Sequence, residues 1–346
     1  MQDDKEMKDI LSMSFEQLEA ELLEMGQQKF RAKQIFTWLH ARNITDFSQM
    51  SDLSLQLRNE LSERFYIEDL KVVRKLTSKT DSTLKYLYEL RDNNHVETVF
   101  MEYNHGNSIC VSTQVGCKMG CTFCASTIAG FRRDLTASEI LSQIYTAERE
   151  SGRHADSIVL MGIGEPLDNF DNVVRFLQLI SDERGRKQSL RHVSVSTCGI
   201  VPRIRELADM KLGITLSVSL HSANDVRRSE IMPVNRRYDI KTLLNECREY
   251  MNKTGRRISF EYAVIEGVND SDEDARQLHR LLSGMVCHLN LIPVNPIKER
   301  DYRSNRAKVE QFAKKLSGMG LNVTVRRTLG ADIDAACGQL RREYEI

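Results

Sequence analysis

From about residue 107 onward the chain alternates β-branched runs with amphipathic stretches, and this constrains its fold more than any other feature. The runs at 108–112, 157–161, 192–196, 215–220, 259–265, 288–292 and 322–326 read as strands, and stretches such as 137–150 and 240–252 read as helices between them. Strand–helix alternation builds a parallel sheet with crossover helices. The strands are too many and too evenly spaced for one nucleotide-binding half, while a closed eight-fold barrel needs one more unit. A partial (β/α)6 barrel of the α/β class fits, and such folds place their chemistry on loops at the C-terminal strand ends.

The first hundred residues read differently. Leu18, Leu22 and Leu23, then Phe30, Ile35, Phe36 and Leu39 after a break at Gly26, recur at helical spacing. The segments KVVRKL, LKYLYEL and VETVFMEY are β-rich, with a turn at Thr80-Asp81-Ser82, and predict a hairpin followed by a third strand. The expected organisation is a helical accessory module over 1–66, a β-rich linker over 67–105 and the barrel over 106–346. A hydrophobic content of 41% supports a real core. No apolar run approaches the ~20 residues of a membrane span, and the N-terminus does not read as a secretory signal, so a cytoplasmic location with reduced cysteines is expected. Net charge is zero, with 49 basic and 49 acidic residues, so composition announces no nucleic-acid partner; the recurring Arg pairs are weak evidence by themselves.

The loop after the first barrel strand reads GCKMGCTFCAS and carries Cys117, Cys121 and Cys124. A structural zinc site closes with four Cys or His ligands, and an electron-transfer iron–sulfur cluster takes four thiolates. Three thiolates holding a [4Fe–4S] cluster leave one iron open to a small molecule. The competing reading is zinc with a fourth ligand from His154 or Cys198. Later strand ends carry polar residues: Gly164 and Glu165 in MGIGEP, Ser196, then Ser219-Leu220-His221, then Asn295 in IPVNP. Each alone reads as a turn or core residue, but a series at successive strand ends reads as a rim-built site, with glycines for close backbone approach and a carboxylate for an ammonium or ribose. Cys337, flanked by Ala335, Ala336 and Gly338, reads as an accessible thiol, with a fourth cluster ligand or an idle surface thiol as alternatives. Cys110, on the first strand, reads equally as core or catalytic; Cys198, Cys247 and Cys287 read as buried core.

The order and spacing of KFRAKQIF, VETV, CVSTQVGCKMGCTFCAS, MGIGEP, STCGIVP, SLHSAND, GVND, IPVNP and DIDAACGQL resemble the RlmN/Cfr family of radical S-adenosylmethionine (SAM) RNA methyltransferases over nearly the full length. The KFRAKQIFTWLHARNITDF segment and the RRTLGADIDAACGQL tail resemble its adenine-C2 branch more than its C8, antibiotic-resistance branch. The resemblance implies that Cys117, Cys121 and Cys124 hold a [4Fe–4S] cluster whose open iron chelates SAM, with Gly164, Glu165, Ser196, Ser219, Leu220, His221 and Asn295 holding SAM. It implies a two-SAM mechanism. Cys337 takes a methyl group by displacement, and a second SAM is cleaved to a 5′-deoxyadenosyl radical that removes a hydrogen from it. The resulting methylene radical adds to adenine C2, and Cys110 then attacks Cys337 sulfur, leaving a transient disulfide for reductants to reset. Glu97 matches the proton acceptor, with Cys110 also a candidate base. Phe123 is expected to pack over the cluster. Implied partners are 23S rRNA, a subset of tRNAs modified at an anticodon-loop adenine, and an electron donor such as flavodoxin; a monomer is expected. The N-terminal helices resemble an RNA-binding module in which Lys29, Arg31 and Lys33 meet phosphates, although 14 basic against 18 acidic residues over 1–100 favour shape recognition. A reading from another class is a metal-stabilised RNA-binding protein without catalysis.

Overall fold

A computed structural model describes residues 7–295, 297, 299, 301–336 and 338–340. It divides into two compact units, one formed by residues up to Lys71 together with Leu135–Arg153 and Asp171–Ser189, the other by the remainder.

The first unit contains α1 (Phe15–Glu24), α2 (Phe30–His40), α3 (Leu55–Arg64), α4 (Ala137–Ser151) and all but the first residue of α5 (Phe170–Ser181). Ser14 opens α1 with a capping box, its hydroxyl accepting from Gln17 N while the Gln17 side chain accepts from Ser14 N. Leu18 and Leu22 lie on the buried face. Leu23 and Phe30, grouped with them in the helical pattern, are exposed, because one residue's rotation carries Leu23 off the apolar stripe and Phe30 stands at the first position of its helix. α4 and α5, expected inside the barrel region, group with the N-terminal helices. The Asp9 carboxylate accepts from Leu11 N, Ser12 Oγ and Ser138 Oγ, which fixes the start of α4 in this unit. His40 is buried against Phe36, with ring centroids 4.3 Å apart, and its Nδ1 lies 3.4 Å from the Tyr145 hydroxyl.

The second unit is built on one ten-stranded sheet, its strands numbered along the chain: β1 (Lys71–Thr77), β2 (Leu84–Glu89), β3 (His95–Tyr103), β4 (Gly106–Cys110), β5 (Ser157–Leu160), β6 (Val193–Thr197), β7 (Thr215–Ser219), β8 (Ile258–Val264), β9 (Cys287–Pro293) and β10 (Val323–Val325). Spatial order follows chain order from β1 at one edge to β10 at the other. β4 to β10 are parallel, seven strands joined by six helical crossovers, which is the partial barrel expected. The β-rich linker proves to be part of the same sheet: β2 pairs antiparallel with β3, and β3 with β4. The remaining helices of this unit are α6 (Val201–Asp209), α7 (Asp225–Ile231), α8 (Ile240–Thr254), α9 (Asp272–Leu282) and α10 (Arg306–Gly318).

The alternation within each parallel strand decides what faces the site. Val193 and Val195, Leu216 and Val218, Ile258 and Phe260, Leu289 and Leu291 are all buried. The intervening residues are polar, and the register pairs them: Ser196 with Ser217, Ser219 with Glu261, Glu261 with Asn290, Asn290 with Thr324. Among the described residues no helix is long and apolar enough to cross a membrane.

The burial of His40 generates a testable pH dependence. Burial pushes its pKa down to about 3 from 6.5, so the folded protein holds it neutral where an unfolded chain would protonate it. Its stabilising contribution is therefore present above pH 6.5 and is lost as pH falls towards 3. Urea unfolding at pH 7.5 and 5.5 should show this site alone costing about 1.4 kcal/mol between the two, and His40→Phe should remove that increment.

Candidate active site

β4 ends at Cys110, and the chain runs on into a loop whose neck is closed by a short antiparallel pair, Gln114–Val115 with Arg133–Asp134. Gly116 (φ +77°) stands in the neck, and a Cβ there would lie 1.7 Å from the Gly130 carbonyl oxygen, so only glycine lets the two arms of the loop cross. Cys117, Cys121 and Cys124 hang from this loop and line an open cavity at the C-terminal ends of the parallel strands. The loop is pinned on two sides, by Thr122 N donating to Ile231 O (3.0 Å) and Ala125 N donating to Gly338 O (2.8 Å).

The three thiols sense one another. Burial, and then the neighbouring Cys124, pushes Cys117 up to about 12; burial followed by Cys124 and Cys117 pushes Cys121 well above its ordinary value. Such thiols become thiolates only where a cationic group binds them. Among the described residues, no three His, Cys, Asp or Glu side chains are grouped to hold a single metal ion. His154, offered as a fourth zinc ligand, is exposed and does not line the cavity, whereas Cys198 does. An all-sulfur donor set that lines one cavity without grouping around a single metal ion fits a [4Fe–4S] cluster, in which each thiolate takes a separate iron.

The opposite wall comes from the strand ends. Gly164 (φ +109°) brings its backbone against Gln114, whose Oε1 accepts from Glu165 N (2.8 Å). Glu165 lines the cavity with both carboxylate oxygens already accepting, one from Cys198 N (2.8 Å) and one from Leu167 N (3.1 Å); burial pushes its pKa up. Ser196, Ser219 and Asn295 also line the cavity. His221 does so from a left-handed backbone (φ 53°), held by Asn269 of the GVND segment, which donates to its carbonyl (2.7 Å). Its Nδ1 accepts from Ala263 N (2.8 Å), and burial, with Arg228 nearby, pushes its pKa down to about 3; it is therefore a neutral imidazole with the proton on Nε2. Phe123 lines the cavity edge-on to this ring, with centroids 4.8 Å apart. Leu220, just beyond the end of β7, is fully buried and does not line the cavity.

A second, smaller cavity adjoins the first, and Met161, Ile292, Asn295 and Arg326 line both. Cys110 is on its wall, packed with Ala335 and Leu340. Cys337 lies outside the described residues, between Ala336, which lines this cavity, and Gly338, which lines the first. Glu97 lines neither cavity: it is buried in an ion pair with Lys85 (2.6 Å), and Lys85 also donates to the Asp334 carbonyl (3.0 Å). Of the other cysteines described, Cys198 belongs to the cavity wall, Cys247 to the core, and Cys287 is half-buried. None of the described cysteines is in a disulfide. In the first unit, Lys29 pairs with Glu19 (3.3 Å), Arg31 stacks on Phe30, and Lys33 is exposed.

Three contributors escaped the sequence reading. Glu261 and Arg326, 3.8 Å apart, line the first cavity, and both were within reach of the strand alternation. Arg228, half of one of the recurring Arg pairs, is fully buried. The neck geometry makes a direct prediction: Gly116→Ala should keep the far-UV circular dichroism of the wild type while losing most of the iron and sulfide taken up on anaerobic reconstitution.

The N-terminal residues 8–67 match the family model for the ribosomal RNA large subunit methyltransferase N-terminal domain, and residues 111–279 match that for the radical SAM superfamily. The probable dual-specificity RNA methyltransferase RlmN of Lachnospira eligens is 50% identical over 339 residues, covering 98% of this chain and 97% of that protein. Its counterpart in Clostridium botulinum strain Okra is 51% identical, covering 98% and 99%. The crystal structure of a radical SAM methyltransferase from Sphaerobacter thermophilus superposes with a TM-score of 0.94 at 41% identity, covering 97% of this chain and all of that one. Identity of this degree, over both the helical module and the sheet that carries the three cysteines, establishes that the chain belongs to the RlmN family of radical-SAM RNA methyltransferases.

Proposed function

We propose that this enzyme methylates C2 of adenine in 23S rRNA, at the peptidyl-transferase centre, and in the anticodon loop of a subset of tRNAs, by a two-SAM route through S-methyl-Cys337. The observation that carries the reading is the pair of adjoining cavities: the three thiols and the strand-end polar wall line one, while Cys110 lines the other beside the residues flanking Cys337. When bound at Cys117, Cys121 and Cys124, a [4Fe–4S] cluster supplies the electron for reductive cleavage of SAM.

The protein's own residues do the rest. The polar wall of Glu165, Ser196, Ser219, His221 and Asn295 orients SAM, with neutral His221 offering an Nε2–H donor and no charge. Leu220 supports this wall from behind, its carbonyl accepting from Arg228 Nε. Adenine C2 is electron-poor and does not attack a SAM methyl, so the methyl group is first stored on Cys337. A proton leaving C2 meets Cys110 before Glu97, since Cys110 stands on the cavity wall and Glu97 is buried on the adjacent strand in its pair with Lys85. Attack of Cys110 sulfur on Cys337 sulfur then breaks the bond between Cys337 sulfur and the transferred carbon; the electron pair leaves with that carbon, which takes the proton Cys110 gives up and becomes the methyl group of the freed RNA, and the two sulfurs remain as a transient disulfide. The division at 66/67 and 105/106 assigns RNA contact to the helical module, including Lys29, Arg31 and Lys33. We assign the enzyme to the cytoplasm, as a monomer reduced by a flavodoxin-type donor.

Two measurements test this. Anaerobic turnover with methyl-labelled SAM, reductant and an rRNA fragment should give labelled 2-methyladenosine on nucleoside mass spectrometry; 8-methyladenosine would instead place the enzyme in the C8 branch, and no product from cluster-loaded enzyme would sink the RNA assignment. Cys337→Ala should abolish turnover with the iron content unchanged, whereas Cys110→Ala should lower product at least tenfold and accumulate a covalent RNA–protein adduct on denaturing gels.

A further inference from the structure

Arg228 is a buried cation that the mechanism above does not use. It lies on α7 with no exposed surface, and all its hydrogen bonds go to neutral oxygens: Nε to Leu220 O, Nη1 to Asn235 Oδ1, and Nη2 to both Cys198 O and Ser219 O, at 2.8–2.9 Å. Among the described residues it forms no ion pair with a carboxylate; Asp225 reaches it only through Asn235, whose Nδ2 donates to Asp225 Oδ1 (3.0 Å). Guanidinium does not lose its proton in proteins, so the charge is retained. An interior charge with no carboxylate in direct contact is costly, and four neutral acceptors with Asp225 one residue removed offset only part of that cost.

A second source of negative charge lies on the side of the cysteine loop. The end of α7 is joined to the cysteine loop, with Ile231 O accepting from Thr122 N (3.0 Å), and Cys121 packs on Cys198, Ile231 and Met232 in an apolar patch. Arg228 therefore faces the cysteine loop across a medium of low polarity, in which a fixed charge is felt strongly. A cluster core of charge two plus, held by three thiolates, carries a net charge of one minus, and an electron from an external reductant makes it two minus without taking up a proton.

We propose that Arg228 is the internal countercharge of the cluster, a positioning residue that raises its reduction potential and so favours the reduced form that SAM cleavage requires. The inference rests on the cluster reading of Cys117, Cys121 and Cys124. In reconstituted protein poised with dithionite and without SAM, Arg228→Met should lower the ratio of reduced to oxidised cluster, read by electron paramagnetic resonance, about tenfold at fixed potential, equivalent to 59 mV for one electron. Arg228→Lys, which keeps the charge and loses most of the carbonyl bonds, should stay near the wild type. A purely structural role would move both variants alike, and that result, or an unshifted Met variant with full iron content, overturns the proposal. Should the Met variant fail to fold, Asp225→Asn supplies the opposite sign: removing the opposing carboxylate should raise the midpoint slightly, and a fall or no change contradicts the proposal. Iron and sulfide analysis of each sample separates a lost cluster from a shifted one, and wild-type protein that takes up neither overturns the cluster reading and this inference together.

Discussion

The parallel register of β6 to β10 is the constraint on which the site depends. Because each strand alternates apolar and polar residues and the register keeps like with like, one face of the sheet becomes core and the other a continuous polar row. That row is itself bonded: Asn290 donates to Glu261 (2.8 Å) and Thr324 to Asn290 (3.2 Å). A slip of one residue in any strand would exchange the two faces and destroy core and site at once. The hydrophobic burial that holds the sheet together thus also fixes Ser196, Ser219 and Glu261 on the cavity lining.

Against this rigid wall the cysteine loop and the C-terminal segment are held by a few specific bonds. Ala125 N and Ser126 Oγ donate to the carbonyls of Gly338 and Leu340, the latter at 2.9 Å. On its other flank the segment is tied to the β1–β2 turn, with Asp332 accepting from Ser78 Oγ (2.7 Å) and Lys79 N (2.9 Å), and Gly330 N donating to Asp81 (2.8 Å). The linker expected from sequence is therefore a structural support. Its turn anchors the segment that leads to Cys337, and its Lys85 binds both Glu97 and the Asp334 carbonyl.

Local patterns made much of this legible. The seven barrel strands were readable because alternation and flanking turns are properties of a few consecutive residues, and Gly164, Ser196, Ser219, His221 and Asn295 were readable because strand ends are. What could not be read depends on partners distant in sequence. Nothing near Lys85 announces that β2 and β3 extend the main sheet, nor that Glu97 would spend its charge on a buried pair. Nothing in the run DVRRSE separates Arg227, which pairs with Asp274 (2.5 Å), from Arg228, which turns inward to the carbonyls of two strand ends. Leu220 shares a motif with two residues of the cavity lining, and its own burial follows from the path of the chain beyond the end of β7, where His221 turns into a left-handed conformation.

The central claim is that three thiolates and a polar strand-end wall leave one iron open to the methionine end of SAM. The most direct measurement is electron–nuclear double resonance on the dithionite-reduced, reconstituted protein with SAM labelled at the amino nitrogen and carboxylate oxygen. Hyperfine coupling of both labels to the cluster is the expected result. A fully loaded cluster that shows neither coupling, with SAM bound at saturation, would contradict the claim.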